Sequence, residues 1–280
     1  MTGSPPVTEN GSMATRIGPV PYRGPWPRWL AQSAMCYDTL HRWPRHVPSR
    51  RHDAQRAGDA RILHVTLPLP LRNRLAELIL ESLHDPEARR GLEAVATVCA
   101  DPRALTHVGE LPARVPRDFF EERAGGLQVK SGWKEYAAEL RRRSGRAWRA
   151  IRDRPLDPAD APLGTILAAA ALLFDAGLYY EVHELLEPPW MRAGGGAREA
   201  LQGLIQIAVG FQHLANGNVA GARGLLADGC AKTLGRRLHG LDLDPFARAA
   251  RGCFEQVASR GANAAREFDW AAVPRFPTRS

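Results

Sequence analysis

Residues 198–214 constrain this 280-residue chain more than any other stretch. Leu201, Leu204, Ile205, Ile207, Ala208, Phe211 and Leu214 fall around almost the whole circumference of a helix. One narrow polar stripe remains, made of Arg198, Gln202, Gln206 and His213. A helix that is apolar on nearly every side has to be surrounded by other elements. The expectation is therefore an all-α fold, a compact antiparallel bundle built from helix hairpins, preceded by a second, mostly helical N-terminal region.

The flanking sequence supplies the partners. Thr165 to Phe174 is almost wholly apolar and Ala-rich, and Gly177 is placed to end that helix in a left-handed conformation. A helix over Leu178–Glu187 follows, and Pro188, which cannot donate to the Glu184 carbonyl, is expected to stop or kink it. Asn218 is placed to cap a third helix, and Asp244-Pro245 to open a fourth with Phe246, Ala250, Cys253 and Val257 facing inward. A faint repeat runs through this region. Phe174-x-x-Gly177-x-Tyr179-x-x-Val182-x-x-Leu185-Leu186 aligns with Leu214-x-x-Gly217-x-Val219-x-x-Ala222-x-x-Leu225-Leu226, the grammar of helical-hairpin repeats.

The Pro-rich stretch from Pro155 to Pro162 divides this all-α domain, 160–257, from a helical region at 61–157. In the latter, Ile62–Pro68 reads as extended. Leu71, Leu75, Leu78, Ile79 and Leu83 recur at helical spacing, Asp85 and Pro86 start a second helix, and Asp101-Pro102 resembles another start. Residues 111–131 are broken by Pro112, Pro116 and Gly125-Gly126. Trp133 to Ile151 regains an apolar stripe, which places Arg141, Arg142, Arg143, Arg146 and Arg149 on its solvated face. Residues 1–60 lack apolar periodicity and read as a basic, mostly disordered segment, and 258–280 reads as a tail.

Charge narrows the function classes. The net charge is +8, with +5 in residues 1–61 and −2 in residues 160–255, so the basic character does not belong to the bundle. Lysines are only Lys130, Lys134 and Lys232, and with so much Ala and Gly the arginines are most simply explained by codon bias. Nucleic-acid binding through the Arg-rich 141–154 helix stays an alternative that the sequence does not favour. No apolar run is long enough to span a bilayer, the N-terminus lacks the pattern of a secretory signal, and the four cysteines show no CxxC spacing. A cytoplasmic protein with reduced thiols is expected.

Within 178–190 the polar residues segregate: Leu178, Val182, Leu185 and Leu186 face one way, and Tyr180, His183, Glu184 and Glu187 the other. Buried Arg198, Gln202 and Gln206 require hydrogen-bond partners, and the nearest acceptors are these carboxylates. The two polar stripes are accordingly expected to face each other, with Arg198 neutralising a glutamate.

Tyr179-Tyr-Glu-Val-His-Glu-Leu-Leu-Glu-Pro-Pro-Trp190, followed by Arg198, Leu201-Gln-Gly-Leu-Ile-Gln206, His213 and Gly217-Asn218, resembles the domain of unknown function 309 family of bacterial and plastid proteins. The resemblance covers roughly 165–255. It implies a compact all-α bundle and no established activity, since none is known for the family. The ligand-binding candidates are Tyr180, His183, Glu184, Glu187, Trp190, Arg198, Gln202, Gln206 and His213. Three readings stand side by side: a structural network that fixes the packing, a divalent-metal site, and a site for a small anionic ligand or partner peptide. His183, Glu187 and His213 are the metal candidates, because His183 and Glu187 at i, i+4 suit two ligands from one helix. As a metal-dependent, hydrolase-like enzyme, the chain would use Glu184 or Glu187 as general base and His213 as acid. Two features weigh against the metal: Arg198 is close in sequence, and His-Glu-Leu-Leu-Glu is not the His-Glu-x-x-His of zinc proteases.

Overall fold

A proline before and a glycine after delimit several of the helices, and the core forms where their apolar faces meet. The structure, a computed structural model, describes residues 66–100, 112–123 and 126–279. The expectations for residues 1–60, for most of Ile62–Pro68, for Asp101-Pro102 and for Cys36 lie outside these residues.

In the N-terminal region, α1 (Leu69–Glu81) and α2 (Pro86–Ala100) bury Leu71, Leu75, Leu78, Ile79, Leu92 and Val95. Asp85 opens α2, its Oδ1 accepting from the Glu87 N–H at 2.8 Å. A short antiparallel hairpin follows, β1 (Phe120–Arg123) and β2 (Gly126–Val129), with Phe120 paired to Val129. Its sequence read only as broken. A 3₁₀ turn, Ser131–Tyr136, leads into α3 (Ala137–Ile151), which packs on α2. The expectation that the α3 arginines form a solvated face fails at one position. Arg143 is buried, because it occupies the position between Leu140 and Ala147 on the core stripe.

The C-terminal region holds α4 (Leu163–Asp175), α5 (Tyr179–Arg192), α6 (Gly195–Ala215), α7 (Val219–Thr233), the two-residue strands β3 (Arg237–Leu238) and β4 (Leu241–Asp242), α8 (Asp244–Arg260) and α9 (Ala264–Glu267). Helix α6 is buried from Ala200 to Leu214, Gln202 being half-buried, and packs against α5 and α7, as its apolar circumference required. The described residues thus form a mostly all-α fold with only small antiparallel strand pairs.

The repeat in the sequence is visible in the backbone. Gly177 and Gly217 have φ of +70° and +79°. Gly177 N–H donates to Phe174 O and Leu178 N–H to Leu173 O; Gly217 N–H donates to Leu214 O and Asn218 N–H to His213 O. This paired 5→2 and 6→1 bonding is a Schellman ending, and each partner in the second turn stands forty residues after its counterpart. The second hairpin is also unusually close. A Cβ on Gly229 of α7 would lie 2.8 Å from Gly203 O and 2.9 Å from Ile207 N of α6, so backbone meets backbone there.

Two features depart from expectation. Of the two expectations for Pro188, stopping is not met: helix α5 runs through Pro188 and Pro189 to Arg192. The prolines remove bonds to the Glu184 and Leu185 carbonyls, but they fall in the last two turns, where Arg198 satisfies the terminal carbonyls. The segment after Val273 is docked. Phe276 is buried against Phe174 and Phe246, its N–H donates to Asp175 Oδ1, and Arg275 pairs with the same carboxylate.

Candidate functional site

Helix α5 begins directly after the Gly177 turn and presents its polar face toward α1. Tyr180 Oη donates to Asn73 Oδ1 at 2.9 Å, and the Arg72 guanidinium lies 4.2 Å from the centre of the Tyr180 ring. One turn along α5, His183 and Glu187 are buried and Glu184 is half-buried. His183 Nδ1 stands 3.2 Å from Glu184 Oε1, and His183 Nε2 stands 4.0 Å from Glu187 Oε2. One ligand atom from each of the three lies within 4.8 Å of the others.

The first contact sets the tautomer. In the neutral form of the ring, a carboxylate beside Nδ1 accepts its proton and leaves the lone pair on Nε2. That Nε2 is buried and has no hydrogen-bond partner among the described residues. A buried ring nitrogen without a hydrogen-bond partner carries a desolvation cost. It points toward Glu187 across a gap that one cation can bridge, since bonds of about 2.0–2.2 Å to nitrogen and oxygen span such a separation.

The two carboxylates are tuned in opposite directions. Burial alone would raise Glu184, but the hydrogen bond and charge of His183, the Tyr180 hydroxyl and the Arg72 charge together hold it below the usual range. Glu187 is raised by burial and by the nearby Glu184 charge, which outweigh His183. The cationic residue at this site is therefore Arg72, not Arg198.

Arg198 does not neutralise a glutamate. Its Nη1 donates to the carbonyls of Trp190, Met191 and Ala193, and its guanidinium stacks 4.2 Å from the Trp190 ring. A guanidinium at the negative end of a helix is favourable in itself, so Arg198 acts as the C-terminal cap of α5. Trp190 is buried beneath it. His213 does not join His183, Glu184 and Glu187. It lies at the α6–α7 turn, where its Nδ1 is 2.9 Å from Asn218 Nδ2, and burial lowers its pKa to about 4. Gln206 is buried with Oε1 unpartnered among the described residues, and Gln202 is half-buried on α6. The polar residues predicted on two facing stripes thus divide between the His183 cluster, the α5 cap and the α6–α7 turn.

Three residues that matter here were not singled out by the spacing. Arg72 and Asn73 come from α1, and Glu181, wholly buried in the first turn of α5, pairs with Arg143 of α3 at 2.5 Å. Arg72 and Arg143 each interrupt an otherwise apolar helical stripe, and that was the available signal.

Comparison with known proteins agrees with the geometry in one segment. Residues 167–225, from α4 into α7, match the family described as domain of unknown function (DUF309). No curated protein and no solved structure matches the chain. Arg72, Asn73 and Arg143 lie outside the matched segment.

Proposed function

We propose that the bundle binds a divalent transition metal through His183 Nε2, Glu187 and Glu184. The buried Nε2 that faces Glu187 Oε2 at 4.0 Å with no other partner among the described residues carries this reading. One imidazole and two carboxylates form a mixed nitrogen–oxygen set suited to zinc, manganese or ferrous iron. All three ligands come from a single helix, so the remaining coordination positions stay available to water or substrate, as in catalytic rather than structural sites. Held by these three residues, such an ion would supply the chemistry of metal-assisted hydrolysis, lowering the pKa of a bound water and polarising a carbonyl or phosphoryl oxygen. Glu184 would have a double part, orienting His183 through its Oε1 and adding a carboxylate to the set.

The test is thermal. Metal at a hundred times its dissociation constant should stabilise the protein by about 2.7 kcal/mol, and chelation should reverse this. Metal analysis of protein purified without a histidine tag should find one ion per chain. His183→Gln should lose both the ion and the response, whereas Arg198→Ala should keep them. A melt that ignores zinc, manganese, iron and chelators alike refutes the proposal.

The position of Arg72 favours a second reading. Its charge helps to keep Glu184 ionised, and its stacking on Tyr180, next to the Tyr180–Asn73 bond, ties α1 to α5. In that reading His183 and the glutamates form a polar network that sets how the two helices pack. Arg72→Ala separates the two. It should strengthen metal binding if a cation competes with the guanidinium, and only lower the melting temperature if the network is all there is.

A further inference from the structure

Arg142, Arg146 and Arg149 occupy one face of α3, at spacings of four and three residues that bring like charges together. Arg142 is neutralised, its Nε and Nη2 donating to the two oxygens of Glu139 at 2.7 and 2.5 Å. Arg146 and Arg149 have no carboxylate bonded to them among the described residues. Arg146 is half-buried, and its guanidinium lies over the α4–α5 turn, where a Cβ on Gly177 would stand 2.9 Å from Nη1. The turn carboxylate, Asp175, is already occupied by Arg275 and by the Phe276 N–H. Burial first, and then the charges of Arg142 and Arg149, depress the Arg146 pKa, and Tyr179 and Glu139 only partly oppose them.

A guanidinium drawn partly out of water beside two others is unfavourable until an anion joins it. We propose that Arg146 and Arg149, with Arg142 at the edge, bind a phosphate group of a small phosphorylated ligand beside the Gly177 turn. Planar guanidinium forks match phosphate oxygens in pairs, and a dianion satisfies two of them at once. The absence of a side chain at Gly177 leaves the room in which the Arg146 fork lies. This site is independent of the metal reading and involves none of its residues.

Pyrophosphate is the probe, titrated calorimetrically into the full chain at low salt and at 0.15 M. Saturable one-site binding is expected at both. Arg146→Met, which keeps the stem and removes the charge, should weaken it at least tenfold. Arg223→Ala, which removes an exposed arginine of α7, should change it less than twofold. Without ligand, Arg146→Met should melt no lower than the wild type, because an uncompensated charge has been removed, and a purely structural arginine would give the opposite result. Failure of the wild type to bind, equal losses in both variants, or a lower apo melt with affinity unchanged each overturns the proposal. So does binding of a single-stranded 20-mer with a steep salt slope when pyrophosphate is ignored, since that behaviour belongs to a general polyanion surface.

Discussion

Removing the guanidinium of Arg143 should be among the most damaging single changes in the protein. The Glu181 side chain has no exposure and that of Arg143 only 6%, and the two meet at 2.5 Å. At an effective dielectric constant of 20 the attraction lost at that separation is about 7 kcal/mol. Relaxation and water entry reduce this, and breaking buried pairs costs about 3–5 kcal/mol in practice. Arg143→Met, which preserves most of the volume, isolates the charge. Urea unfolding at pH 7, followed by circular dichroism, should show a fall of that size. The double variant Arg143→Met/Glu181→Leu should recover to within about 1 kcal/mol of the wild type or exceed it, because an apolar pair of similar volume needs no desolvated charges. A single-variant loss below 1 kcal/mol, or a double variant no better than the single one, would refute the argument that the pair is closed to water.

Two more outcomes follow from the same packing. His213 has a folded pKa of about 4 against about 6.5 unfolded, so the unfolded chain takes up the proton first and stability should fall as pH drops from 6.5 to 4. The full loss is about 3 kcal/mol, and chemical melts of His213→Gln across that window should be correspondingly flatter. Gly229→Ala should cost about 1–3 kcal/mol by thermal melting, since its Cβ would press on backbone atoms of Gly203 and Ile207, whereas Gly224→Ala, with nothing within 4 Å, should be neutral or stabilising.

Periodicity made the bundle readable. The all-round apolarity of 198–214 required a central helix, Gly177 and Gly217 marked the α4–α5 and α6–α7 turns, and Asn218 accepts from the Gly221 N–H as an N-cap should. His183, Glu184 and Glu187 were legible as a cluster because a helix places i, i+1 and i+4 near one another whatever surrounds it. The partners of that cluster were not. Arg72 reaches α5 from more than a hundred residues away, and helical periodicity carries no information about which face meets which across such a distance. Arg198 was misplaced for a related reason: satisfying buried carboxylates and satisfying terminal carbonyls are both sound uses of a guanidinium, and only the structure shows which acceptors lie within reach. Pro188 does not stop the helix because a missing donor matters less in its last turns than in its middle.

The matched turns of the two hairpins carry a lesson for anyone who would redesign this domain. At the places equivalent to Tyr180, His183, Glu184 and Glu187, the later hairpin has Ala220, Arg223, Gly224 and Ala227, yet it closes through the same bonds. The backbone bonds that close the turn of the earlier hairpin therefore do not involve those polar side chains. The later one offers a blank copy, in an equivalent setting, on which the His and Glu residues could be rebuilt one at a time.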